Sequence, residues 1–182
     1  MIISKAPEDL INTFQSGGVI AYPTEAIYGF GCDPDNEKAV LKLLEIKKRP
    51  IDKGLILVAS HFSQVEKYLK PVSANHHKFT LPSDTTYIFP ALETAPKWLT
   101  GNFNSLAIRI SKYPLVNELC STFDSALVST SANFSGEEPA KTKNEVEVTF
   151  QEIVDGILDG EIGSASKPST IFDIATGKVV RN

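Results

Sequence analysis

The feature that most constrains this chain is the alternation of short apolar runs with segments of helical period along its whole length. Val19-Ile20-Ala21-Tyr22, Leu55 to Ala59, Thr85 to Phe89, Leu106 to Ile110 and Ala126-Leu127-Val128-Ser129 read as strands. Between them lie helices. Pro7 suits the first position of a helix ending before Gly17-Gly18. Asp35 or Asn36 caps a second helix with apolar positions Ala39, Val40, Leu43, Leu44 and Ile46. Pro50 limits it, because the residue before a proline avoids the helical region. Ser60 opens a short helix reaching Lys70-Pro71, and Pro114 to Cys120 forms another. Thr142 with Glu145 makes a capping box for one more. Ile171 to Ile174 and Lys178 to Arg181 close as a hairpin around Thr176-Gly177. Interleaved strands and helices predict an α/β chain with one sheet covered by helices. Phe89 to Leu106 offers no clear helix, so part of the sheet pairs antiparallel and the sheet is mixed. With 182 residues, a single domain over 1–182 is expected.

Composition closes off several classes. Hydrophobic residues make up 42% and charged residues 22%, which excludes wholesale disorder. Leu55 to Ala59 is far too short to span a bilayer. Met1 to Glu8 lacks the basic start and apolar stretch of a secretory signal. A cytoplasmic protein without membrane contact is therefore expected. The net charge of −4 excludes a wholly basic nucleic-acid coat but not a local patch. From Lys42 to Lys53, five cations (Lys42, Lys47, Lys48, Arg49, Lys53) face Glu45 and Asp52, a local balance of +3. Cys32 and Cys120 are isolated, and His61, His76 and His77 lack metal-ligand spacing, so no protein metal site is expected.

Three motifs fail. Gly29-Phe30-Gly31 begins like a dinucleotide fingerprint, but the third glycine is missing and Pro34 stands where the helix should open. Ser164 and Lys167 have the spacing of some acyl enzymes, but within a Ser-rich loop. No Ser–His–Asp order is convincing. Four segments remain, each a strand end or loop rich in hydroxyl, amide or basic groups. Tyr22 to Gly29 follows a buried strand and reads either as a turn or as a ligand loop beyond a strand end. Lys47-Lys48-Arg49-Pro50 with Lys53 either offsets a helix dipole or meets phosphate. Ser129 to Gly136 is either a hydroxyl turn or a set of donors to an anion. Lys167-Pro168-Ser169-Thr170 leads into the last hairpin, with Arg181 near its end. Arg109 finishes an apolar strand and needs a partner, either a carboxylate or an anionic ligand.

The set Tyr22-Pro23-Thr24-Glu25 with Tyr28-Gly29, Lys47-x-Arg49-Pro50, Ser131-x-Asn133-x-Ser135-Gly136 and Pro168-Ser169-Thr170 with Asp173 resembles the YrdC family, in its short bacterial TsaC type. The match runs from about Gly18 to Arg181. The resemblance implies a twisted mixed sheet flanked by helices, with a concave basic cavity. It implies that L-threonine, bicarbonate and ATP become threonylcarbamoyl-AMP and pyrophosphate. A partner transferase complex then modifies the adenosine next to the anticodon in tRNAs reading codons that begin with A. By similarity Arg49, Lys53, Ser105, Asn133, Lys141 and Arg181 would meet ATP, with Mg²⁺ on its phosphates. Lys47 would stabilise phosphate or carbamate charge, acting with Arg49 in catalysis. Thr24, Arg109, Ser131 and Ser169 would hold threonine. Lys47→Ala and Arg49→Ala are expected to abolish turnover with the fold intact.

The chain departs from the family at Ala26, where a second threonine is common, and at Lys53 and Val58, where longer members carry Asn and a nearby His. The extra C-terminal domain of longer members is expected to be missing. The family is also linked to double-stranded RNA, so an RNA-binding protein in rRNA or tRNA maturation is the alternative.

Overall fold

Successive side chains of a strand point to opposite faces of the sheet, and this alternation decides which face each helix covers. The computed structural model describes residues 1–71, 82, 84–165 and 169–181. Among them ten strands form one sheet: β1 (Ile2–Ser4), β2 (Ile20–Pro23), β3 (Tyr28–Cys32), β4 (Ile56–Ala59), β5 (Thr85–Pro90), β6 (Ser105–Ile110), β7 (Leu127–Ser131), β8 (Gly156–Leu158), β9 (Thr170–Asp173) and β10 (Lys178–Arg181). Their spatial order is β1-β8-β2-β3-β7-β4-β6-β5-β9-β10. Four neighbouring pairs run parallel and five antiparallel, so the sheet is mixed as the sequence predicts. The helices are α1 (Ile11–Gln15), α2 (Glu37–Ile46), α3 (Lys97–Thr100), α4 (Pro114–Thr122) and α5 (Lys143–Phe150). No helix among the described residues is long and apolar enough to cross a membrane.

On the first face Ala21, Phe30, Leu57 and Ile108 pack with Val40 and Leu43 of α2 and with Val146 and Phe150 of α5. On the second, Ile20, Tyr22, Val58 and Leu127 pack with Leu10, Phe14 and with Val116 and Leu119 of α4. Each fully buried large side chain contributes about 1.5–3 kcal/mol relative to exposure. The second cluster holds no residue of β5, β6 or β9. There Ser105, Ala107 and Arg109 of β6 and Ile88 of β5 remain half-buried. Alternation puts Ser129 and Ser131 of β7 on this same face, also half-buried. A floor of small and polar side chains with one arginine results.

The caps read from the sequence form. Asn36 Oδ1 accepts from Ala39 N at 3.2 Å, and Thr142 and Glu145 make their reciprocal box. The hairpin β9–β10 forms, with an irregularity between Val179 and Arg181. The short helix α3 lies between Phe89 and Leu106, where the sequence shows no clear helix, and two expected helices take another form. The Pro7 segment is a 3-10 turn (Pro7–Leu10) followed by α1. The Ser60 segment is two 3-10 turns, Phe62–Gln64 and Glu66–Tyr68. Gln64 explains the second case. Its Nε2 donates to Cys120 O at 2.9 Å and its Oε1 accepts from Ser60 N at 3.0 Å, so tertiary bonds outweigh helix propagation.

Strand β3 answers the failed dinucleotide motif. Its glycines make room for the Tyr22 side chain. A Cβ on Gly31 would come within 2.8 Å of Tyr22 Cε1 and 2.9 Å of Val128 O. The Tyr22 hydroxyl then donates to Ser129 Oγ at 2.7 Å. His76, His77, Ser166, Lys167 and Pro168 lie outside the described residues.

Candidate functional site

Helix α2 ends in a left-handed turn that separates its cations. Lys47 caps the helix and Lys48 takes φ 47°. Lys48 N donates to Glu45 O and Arg49 N to Leu44 O, both at 2.9 Å, which is the Schellman pattern. Lys47 is thereby sent inward, at 6% exposure. Its Nζ donates to Ser131 O (2.7 Å), Ser131 Oγ (3.3 Å), Asn133 O (2.7 Å) and Asn133 Oδ1 (2.5 Å). Ser131 Oγ donates to Asn133 Oδ1 at 2.6 Å, and Asn133 Nδ2 to Glu137 O at 2.6 Å. All four acceptors are neutral oxygens. Burial, with the Arg49 charge second, pulls the Lys47 pKa down to about 8. The structure thus joins Lys47, Ser131 and Asn133, which the sequence proposed separately. It also revises the expectation that Lys47→Ala spares the fold. An ammonium whose three protons are shared among four oxygens of the loop after β7 is part of that loop's structure.

Arg49 turns the other way. Its Nη2 donates to Gly54 O at 2.8 Å and Lys53 O at 3.3 Å, closing the exposed turn Ile51–Lys53. Ile56 pairs with both Ala107 and Ser129, so this turn meets the sheet where β6 opens at Ser105 and β7 ends at Ser131. Lys141 follows Ala140, whose backbone bonds Ala132 and Tyr28, so it stands beside the same loop. Its own N–H donates to Glu145 Oε2 at 2.6 Å. Thr24 closes a turn: its N–H and its hydroxyl both donate to Ile27 O, at 2.9 and 2.7 Å.

A second group gathers around Arg109. Its Nη2 lies 3.0 Å from Glu25 Oε1, and Ser111 Oγ donates to that oxygen at 2.8 Å. The carboxylate alternative for Arg109 is therefore present in the protein itself. Tyr87 pairs with Ile108, which brings Thr86 abreast of Arg109. Thr86, fully buried, shares a 2.8 Å hydroxyl contact with Ser169, and Arg181 Nη2 donates to Ser169 O at 3.0 Å. Arg109 on β6, Thr86 on β5, Ser169 just before β9 and Arg181 on β10 thus follow one another across the sheet. Sequence reasoning placed Glu25 in a motif without a role of its own and missed Ser111. The signal for a carboxylate was an arginine ending an apolar strand, which does not say where along the chain its partner lies.

Both groups belong to an α/β chain with one half-covered sheet face. The family model Sua5/YciO/YrdC, described as "Telomere recombination", matches residues 12–182, and the chain belongs to that family. A relative from Xanthomonas campestris pv. campestris, named threonylcarbamoyl-AMP synthase, is 44% identical over 177 residues, spanning 94% of this chain and 95% of its own. One of the same name from Yersinia pestis is 46% identical over 178 residues, spanning 95% and 93%. Sua5 of P. abyssi, solved with L-threonine, matches with a TM-score of 0.86 at 26% identity, over 96% of this chain and 54% of that one. E. coli YciO shares the fold, with a TM-score of 0.80 at 24% identity over 100% and 94% of the two chains.

Proposed function

We infer that the chain makes L-threonylcarbamoyl-AMP from L-threonine, bicarbonate and ATP, releasing pyrophosphate. The observation that carries this is the identity of 44% and 46%, over 94% and 95% of this chain, with two proteins named for that product. The RNA-docking alternative has no such support. Threonine carbamate, an anion, attacks the α-phosphorus of a polyanion, and pyrophosphate leaves. The protein's task is to neutralise charge and align reactants, without a covalent nucleophile.

Arg49, Lys53, Ser105, Asn133, Lys141 and Arg181 are proposed for ATP. The closeness of the Arg49 turn, Ser105 and the Asn133 loop at one end of the sheet supports this. Lys47 acts by its field on the phosphate or carbamate and by fixing Ser131 and Asn133. Arg109, Ser131, Ser169 and Thr24 are proposed for threonine, Arg109 pairing with its carboxylate. Magnesium is proposed to arrive on the triphosphate, whose oxygens suit it. The product would pass to a threonylcarbamoyl transferase acting on tRNA, in the cytoplasm.

The test is pyrophosphate release from MgATP and bicarbonate by purified protein, with and without L-threonine. Release requiring both threonine and bicarbonate is expected. Threonine-independent release would point to another acceptor, and none from folded protein would overturn the reading.

A further inference from the structure

Glu25 is held from two directions. Its Oε1 takes both the Arg109 guanidinium and the Ser111 hydroxyl, at 3.0 and 2.8 Å. Ser111 is 1% exposed and is itself fixed, its Oγ accepting from Tyr113 N at 3.1 Å. On the backbone side, Gly163 N donates to Thr24 O and Ala165 N to Glu25 O, both at 2.9 Å. A Cβ on Gly163 would come within 2.7 Å of Glu25 O, so this strap lies against the turn. The side chains of Arg109 and Glu25 nevertheless keep 20% and 22% exposure. A surface ion pair is ordinarily loose. This one is aimed and still reachable, with Arg109 and Ser111 converging on one oxygen of Glu25.

A free α-amino acid carries the mirror image of this pair in one small head, a carboxylate beside an ammonium. We propose that Glu25 is a specificity-determining residue that takes the ammonium of the amino-acid substrate while Arg109 takes its carboxylate. The inference rests on threonine being the substrate, as argued above. The pair then selects the zwitterion, and rejects an analogue without the ammonium because Glu25 would face it as a like charge.

The experiment is calorimetric titration without ATP or bicarbonate, using L-threonine and (R)-3-hydroxybutanoate, which is threonine without its amino group. The parent protein should prefer threonine by at least ~10-fold, the scale of one charge-assisted bond. Glu25→Gln keeps an acceptor for Ser111 and Arg109. It should weaken threonine by about 10–100-fold and leave the analogue unchanged or tighter. Ser111→Ala keeps the charge and loosens its aim, and should weaken threonine by roughly threefold with the analogue unchanged. Equal weakening of both ligands in Glu25→Gln would overturn the proposal, because Glu25 would then only position Arg109. A parent that binds neither ligand would overturn this proposal together with the function above. Threonine-dependent pyrophosphate release with unchanged threonine affinity in Glu25→Gln would overturn this proposal alone.

Discussion

The two cations at the heart of the candidate site are compensated in opposite ways. Lys47 is nearly inaccessible and, among the described residues, its ammonium meets neutral oxygens of Ser131 and Asn133. Arg109 is reachable and meets a carboxylate. The first arrangement leaves a net positive charge inside the fold, solvated by fixed dipoles, and such a charge attracts an anion without moving. The second already holds a counter-charge, so an anionic ligand must share or replace Glu25. The Lys47 station suits charge that develops in reaction, and the Arg109 station suits selection of an incoming ligand.

The largest effect should follow Lys47→Ala. Turnover should fall by on the order of 10²–10³-fold, as when one preorganised donor is lost. Stability should fall by about 2–3 kcal/mol because the loop after β7 loses its buried donor. Urea unfolding checks this by a lowered midpoint at constant slope. A variant as stable as the parent would mean that the four contacts hold nothing. Arg109→Ala should show the converse split. The threonine requirement should rise about 10–100-fold, with stability changed by under about 1 kcal/mol. Steady-state kinetics varying each substrate in turn decides it, and an equal rise for ATP would remove Arg109 from the threonine role.

The pH response separates the stations further. A lysine ordinarily holds its proton to 10.5, but burial lowers Lys47 to about 8. Between those values the unfolded chain binds more protons than the folded one. This group's contribution to stability therefore rises with pH over that window. Its charge disappears over the same window. Turnover should fall about tenfold per pH unit above ~8, with no matching loss of melting temperature from this group. Lys47→Arg keeps its charge and should flatten that limb. A limb that survives the change belongs to another residue.

What was legible in the sequence follows from range. Strands β4, β6 and β7 announce themselves by apolar runs, and α2 and α5 by local caps such as Asn36 and Thr142. Strand β3 was hidden because Gly29 and Gly31 look like loop residues until Tyr22 is seen packed against them. Strands β1 and β8 have three residues each, too few for a pattern, and exist through parallel pairing with distant segments. The roles of Lys47, Ser131 and Asn133 came from the family resemblance, since chemistry alone left helix-end and turn readings open, and the bonds from Lys47 span 84 and 86 positions. The Glu25–Arg109 pair is of the same long-range kind, and no local rule proposes it.

The smallest effect concerns the turn that presents Lys47. Lys48 sits at φ 47° where glycine is usual, and Asp124 does the same at the end of α4 with φ 48°. Asp124 N donates to Ser121 O and Ser125 N to Cys120 O, both at 3.1 Å, so the two turns share one geometry. A side chain in this conformation costs roughly 1–2 kcal/mol, partly offset by the greater freedom of glycine when unfolded. Lys48→Gly and Asp124→Gly should each raise stability by about 0.5–1 kcal/mol. If the turn serves only to aim its neighbours, both variants keep full turnover. Lower turnover in Lys48→Gly alone, at raised stability, would mean that its exposed ammonium extends the positive field of the Lys47 station. A positive charge would then have been kept beside the site at the expense of a better helix end.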